Sequence, residues 1–222
     1  ETFSRFSIDL MYGYPQQTVE MLNKDLDIIS HFNIPHISLY QLTIEPNTPF
    51  GKACPALPSE DTIEDMEHQL QVWASQQGYH HYETSAFALS GHECRHNLNY
   101  WRYGDYLGVG PGAHSKLSDS KGVRREQRYE DIIQYQASTH RTAEIIFLTE
   151  KDRLFECLMN AGRLRQGFDV QQIAHHAQLP VEYLMEAIHS GERQGFWTLT
   201  NGYVRPTDQG NRYLNQFLRQ LV

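Results

Sequence analysis

Phe6-Ser7-Ile8-Asp9-Leu10-Met11-Tyr12 runs directly into Gly13-Tyr14-Pro15. Apolar and β-favouring residues that end on a glycine–proline turn read as a strand. Asp9 is its only charge. Such a carboxylate usually caps a neighbouring backbone NH, but in parallel α/β folds it can accept a hydrogen bond from a ribose hydroxyl. Working outward, Thr18 is an N-cap, and Val19, Leu22, Leu26 and Ile29 follow at helical spacing. A second strand spans His36 to Thr43 and opens into the loop Ile44-Glu45-Pro46-Asn47-Thr48-Pro49. Ser59 starts another helix striped by Ile63, Met66, Leu70 and Trp73, Gly78 stops it, and Tyr79 to Thr84 reads as a third strand. Strand, helix, strand, helix, strand with short joints predicts parallel βαβ units, with functional groups at the strands' carboxyl ends. That rim holds Asp9, the stretch from Gln41 to Glu45, and the loop from Glu83 to Phe87. A closed β/α barrel takes roughly 200 residues. Here the β/α part ends near Ser115, so the expected architecture is part of a TIM-type barrel.

After the third strand comes Cys94-Arg95-His96-Asn97-Leu98-Asn99-Tyr100-Trp101, and then Gly108-Val109-Gly110-Pro111-Gly112-Ala113-His114-Ser115. A thiol, an imidazole, an amide and two adjacent aromatics, followed by a loop whose backbone a ligand can approach, suit a flat, metal-bearing ligand. Aromatics beside glycines also serve as plain core packing against a turn. Tyr106 to Gly110 reads as one more short buried strand. Ser118 to Gly122 reads as the tip of an exposed hairpin, and helical periodicity resumes from Tyr129 to Ala137.

From Thr149 the pattern changes. Thr149-Glu150-Lys151-Asp152 has capping-box spacing before Leu154, Phe155, Leu158 and Met159. A second helix starts at Asp169, and a third carries Pro180 in its first turn. Phe196 to Thr200, Asn201-Gly202 and Tyr203 to Arg205 spell a hairpin with a type I′ turn. Tyr213, Leu214, Phe217, Leu218 and Leu221 mark a last helix. The expected division is 1–148, the barrel part with its glycine loop, and 149–222, a small winged-helix-like α+β domain.

Composition narrows the function. The formal charge is −8. The last 73 residues carry equal numbers of acidic and basic side chains, so a nucleic-acid footprint built on Lys and Arg is not expected. No apolar run is long enough to cross a bilayer, and no signal peptide is visible. Cys54, Cys94 and Cys157 are odd in number and far apart, which suits a reducing cytoplasm and leaves this chain without a thiolate set for an iron–sulfur cluster. Glu1, in place of Met, leads almost directly into a strand-like run, which reads as a protein that started earlier.

Taken together, Asp9 to Pro15, Ser38 to Pro49, Tyr82 to Ala88, Cys94 to Trp101, Gly104 to Ser115 and Met159 to Phe168 resemble, in order, a radical-SAM family. That family contains oxygen-independent coproporphyrinogen III oxidase and the haem chaperone HemW, and His96-Asn97-Leu98-Asn99-Tyr100-Trp101 is similar to the HNxxYW haem-binding motif of the chaperones. Thr84 and Ala86 stand where Ile and Asn are usual, and Gln16 stands where Gly is common.

The resemblance implies a partial radical-SAM barrel with a [4Fe–4S] cluster and S-adenosyl-L-methionine, although the family's CxxxCxxC motif is absent from this sequence. The chain by itself is therefore not expected to be a competent enzyme. By the resemblance, His96, Asn97, Tyr100 and Trp101 bind haem, with His96 on the iron; Cys94 is the alternative ligand, because a thiolate also suits haem iron. By the same resemblance Asp9, Gly108, Gly110 and Ala113 bind S-adenosylmethionine, and Gln41 is a further candidate from the same rim as Asp9. The implied function is a haem chaperone that hands haem to haem-acceptor proteins. The alternative is oxidative decarboxylation of coproporphyrinogen in porphyrin biosynthesis. A part-barrel also exposes strand edges and apolar surface, which allows a homodimer.

Overall fold

The strand read first is β1 (Ser7–Tyr12), which pairs in parallel with β2 (His36–Gln41), placing Asp9 opposite Ser38. The structure, a computed structural model, describes residue 3 and residues 5–221. Glu1, read above as the mark of a longer protein, lies outside the described residues. Between the two strands runs α1 (Val19–Ser30), capped by Thr18, whose side chain accepts from the Met21 amide. Next come α2 (Pro49–Ala53) and α3 (Glu60–Gln76), the latter capped by Ser59 with Glu60 and Asp61 in its first turn. Carboxylates there offset the positive end of the helix dipole. Leu22, Leu26 and Ile29 of α1 and Met66, Leu70 and Ala74 of α3 close over Ile37 and Leu39 to form one core. Ile8 and Leu10 pack against it, while Ser7, Asp9 and Met11 take the opposite, open face of the sheet.

The third strand differs from the expectation. The chain returns after α3 as β3 (His80–His81), reverses across residues 82–85, and pairs with β2 through β4 (Ala86–Ala88) in the antiparallel sense. Sheet order is β1-β2-β4-β3. A hairpin thus replaces the second parallel unit. The Leu39 amide reaches the Ser85 carbonyl at 2.8 Å, so the turn still arrives beside the carboxyl half of β2.

His36 fills the amino end of this sheet. Its imidazole lies 2.7 Å from the Ser7 hydroxyl through Nδ1 and 2.7 Å from the Tyr82 hydroxyl through Nε2. The Tyr82 oxygen also accepts the Cys94 amide at 3.3 Å. Burial holds the His36 pKa below its ordinary value, and the carboxylates of Asp9 and Glu93 only partly offset this. The unfolded chain therefore binds the proton more readily than the folded one. Stability is full above an unfolded pKa of about 6.5 and falls as pH drops from there toward the lower folded value. Urea midpoints between pH 8 and pH 5 should fall more steeply for the wild type than for His36→Phe. Parallel profiles would contradict this.

The chain divides into two compact units, residues 1–94 and 95–222. The second begins with α4 (Arg95–Trp101) and continues with β5 (His114–Asp119), β6 (Gly122–Arg128), α5 (Ile132–Ala137) and β7 (Thr142–Phe147). The three strands form an antiparallel sheet in the order β5-β6-β7. The buried strand expected over Tyr106 to Gly110 is not formed. Tyr106 makes a single bridge to Lys116, and Leu107 and Val109 are 62% and 81% exposed.

The remainder follows the expected plan. α6 (Glu150–Ala161) opens with the reciprocal Thr149–Asp152 capping box. β8 (Phe168–Asp169) precedes α7 (Val170–Ala177), capped by Asp169, and α8 (Val181–Arg193) starts after Pro180. β9 (Trp197–Thr200) and β10 (Tyr203–Pro206) are joined through Asn201 and Gly202, both with positive φ as a type I′ turn requires, and α9 (Asp208–Leu218) completes the unit. β10 lies between β8 and β9. Leu158, Ile173, Leu184, Ile188, Trp197 and Phe217 fill the core between these elements. No helix among the described residues is long and apolar enough to cross a membrane.

Candidate haem-binding helix and its surroundings

Helix α4 carries His96, Asn97, Tyr100 and Trp101, two pairs at the i, i+4 spacing that stacks side chains along a helix surface. Leu98 and Trp101 turn inward against the core of the second unit. The helix is bolted there by Asn160, whose Nδ2 donates to the Tyr100 carbonyl at 3.2 Å. Asn99 Nδ2 donates to the Asp105 carbonyl at 2.9 Å and fixes the exit of the helix. Tyr100 meets Trp101 edge-on at 5.2 Å between ring centroids and Tyr106 at 5.5 Å. His96 is exposed and makes no hydrogen bond or ion pair among the described residues. An open imidazole beside partly covered aromatics is a fitting donor set for a flat iron macrocycle. Cys94 is half-buried at the end of the first unit.

Behind α4 lies a polar network that the sequence did not disclose. The ammonium of Lys116 donates to the carbonyls of Tyr103 at 2.8 Å and His176 at 3.2 Å, to Asp105 Oδ1 at 2.9 Å and to Ser118 Oγ at 3.3 Å. It also stands 4.1 Å from the centroid of the Tyr103 ring. Burial lowers the Lys116 pKa, and the hydrogen bond to Asp105 works against that shift. Burial pushes the Asp105 carboxyl up, but hydrogen bonds from Lys116 and Ser118 outweigh it and leave the group below its usual range. Beside it Arg125 grips Glu156 through Nε at 3.3 Å and NH2 at 2.6 Å, while the Tyr103 hydroxyl donates to the same carboxylate at 2.8 Å. Arg125 NH1 donates to the Tyr106 hydroxyl at 2.6 Å. These partners are distant in sequence and lack a local pattern. Asp105 and Tyr106 lie in the run from Gly104 to Ser115 that carried the resemblance, but no role was read for either.

The residues proposed for S-adenosylmethionine fall on both units. Asp9 is exposed on the open face of β1, and Gln41 is exposed at the carboxyl end of β2. In the second unit the Gly108 amide donates to Ser115 Oγ at 2.9 Å, and a Cβ on Gly108 would strike the His114 carbonyl. Tight packing of the chain on itself therefore already requires glycine there. Gly110 adopts φ +112° with open space where a side chain would be, so its backbone can be approached closely. The Ala113 amide donates back to Gly110 at 3.3 Å and closes the loop.

Cys54 is exposed, and burial in the core of the second unit raises the Cys157 thiol to about 12. Among the described residues no group of three or more His, Cys, Asp or Glu is arranged to hold a metal ion.

Residues 148–213 match the model of the HemN C-terminal domain. The chain is 36% identical over 215 residues to the heme chaperone HemW of Escherichia coli, an alignment covering 96% of this chain and 56% of that protein. It is 36% identical over 221 residues to HemW of Haemophilus influenzae, again covering 96% and 56%. A mitochondrial radical S-adenosyl methionine domain-containing protein 1 of Danio rerio is 32% identical over 179 residues, 75% of this chain and 40% of that one. The structure of E. coli coproporphyrinogen III oxidase (HemN), a radical SAM enzyme, superposes with a TM-score of 0.74 at 18% identity, covering 99% of this chain and 55% of that one. The fold is thus that of the HemN-type radical-SAM proteins. Along 96% of its own length the chain is similar to the HemW proteins, and it spans about 56% of theirs.

Proposed function

We propose that this chain carries the haem-binding part of a haem chaperone, in which α4 holds haem for delivery to haem-acceptor proteins in the cytoplasm. The observation that carries the reading is the exposed imidazole of His96, unengaged among the described residues, on a helix whose Tyr100 and Trp101 are partly covered and in ring contact. A neutral imidazole ligates haem iron, the two aromatics cover porphyrin, and Asn97 orients the ligand. The names of relatives at 36% identity support the same reading. By the resemblance, S-adenosylmethionine would draw on Asp9 and Gln41 in the first unit, the Asp9 carboxylate suiting a ribose hydroxyl, and, considered separately, on the Gly108, Gly110 and Ala113 loop in the second. Such a cofactor supplies radical chemistry.

Haem titration followed by Soret absorbance tests this. The wild-type chain should bind one equivalent, and His96→Ala should bind about tenfold or more weakly, a loss of about 1.4 kcal/mol. Equal binding by the two proteins would remove His96 from the site. Loss of propionate carbons from a bound coproporphyrinogen, in place of intact haem transfer, would favour the decarboxylase reading.

A further inference from the structure

Five arginines of the second unit are partly withdrawn from solvent: Arg124, Arg125, Arg128, Arg153 and Arg163. Four of them reach carboxylates: Arg124 pairs with Asp119 and Glu126, Arg125 with Glu156, Arg128 with Glu126 at 3.6 Å, and Arg153 with Glu150 at 3.9 Å. Arg163 pairs with none among the described residues. Its Nε donates to the Met159 carbonyl at 3.2 Å, and its two terminal nitrogens make no hydrogen bond among the described residues. The guanidinium stands 5.7 Å from the centroid of Trp101, within reach of a cation–π contact.

The turn that carries Arg163 is tied to α4 a second time. Asn160, 3% exposed, spends its Nδ2 on the Tyr100 carbonyl, and its Oδ1 has no donor among the described residues. A buried acceptor left open in this way calls for a hydroxyl or an ordered water. Arg163 is thus a half-buried cation held against the candidate haem helix, with its fork of donors unspent. A guanidinium so presented matches a carboxylate, which it can take in two parallel hydrogen bonds.

We propose that Arg163 binds a propionate carboxylate of the tetrapyrrole and makes the site selective for macrocycles whose propionates are free acids. This rests on the haem-binding reading of α4 and adds to it the group that recognises the ligand's acidic edge. The Arg163 donors engage the carboxylate, Trp101 holds the guanidinium flat, and the Asn160–Tyr100 bond keeps the turn in register with the helix.

The test compares haem with haem dimethyl ester, in which both carboxylates are blocked, on the wild-type chain and on Arg163→Gln, with dissociation constants from Soret titration. The wild type should prefer haem by about tenfold, the scale of a hydrogen bond to a charged group. Arg163→Gln should lose that preference while binding the ester as the wild type does, and unchanged ester binding also certifies that the variant is folded. Arg163→Lys should recover part of the preference. A wild type that binds both ligands equally, or an Arg163→Gln variant that keeps the preference, overturns the role of Arg163 and leaves the haem site standing. Absence of saturable binding of either ligand by the wild type overturns the haem reading and this inference together.

Discussion

Replacing Lys116 by methionine is expected to cost about 3 kcal/mol of folding stability, at the lower end of what breaking a buried charge pair costs. The side chain is 1% exposed, and its ammonium is the shared donor for two backbone carbonyls, a carboxylate and a hydroxyl. Methionine fills a similar volume without a donor, so the cost falls on the abandoned partners rather than on a cavity. Asp105 suffers least, because its side chain keeps 40% exposure and the Ser118 amide and hydroxyl still donate to it. The Tyr103 and His176 carbonyls suffer most, since they tie the exit of α4 and the end of α7 to β5. Urea denaturation measures the effect. A change below about 0.5 kcal/mol, the ordinary range for surface substitutions, would show that the network is not holding these segments.

Trp197→Ala should cost about 3–5 kcal/mol, as other buried aromatic truncations do. The indole is 1% exposed, donates from Nε1 to the Ile188 carbonyl at 2.7 Å, and meets Phe217 edge-on at 4.7 Å. Removing it leaves a cavity between α8, β9 and α9 and orphans an acceptor. Trp197→Phe restores most of the volume but not the hydrogen bond, so it should fall between the two, closer to wild type. Equal losses for Phe and Ala would assign the whole effect to the hydrogen bond, contrary to the packing argument.

What could be read from the sequence was local. Thr18, Ser59, Thr149 and Asp169 cap helices where their spacing to the following residues placed them, and Asn201-Gly202 makes the turn its chemistry requires. Strand pairing was less legible. Ala86-Phe87-Ala88 is too short to show alternation, and the direction of its pairing with β2 depends on the reversal across residues 82–85. β7 went unread because Ile145, Ile146 and Phe147 are apolar yet exposed, so no inside–outside pattern marks it. At Tyr106 to Gly110 an apolar run misled for the same reason. The α4 motif was visible as residues. What its neighbours do was not, because Lys116, Arg125 and Arg163 acquire their meaning from partners that only the fold brings near.

The central claim is that the His96 imidazole on α4 ligates haem iron. Its most direct test is electron paramagnetic resonance of ferric haem bound to the wild-type chain and to His96→Ala, each before and after added imidazole. The account predicts a nitrogen-ligated spectrum for the wild type, its loss in the variant and its return when imidazole refills the vacated position. A variant spectrum identical to the wild type's, or a thiolate-type spectrum that disappears in Cys94→Ser, would contradict it.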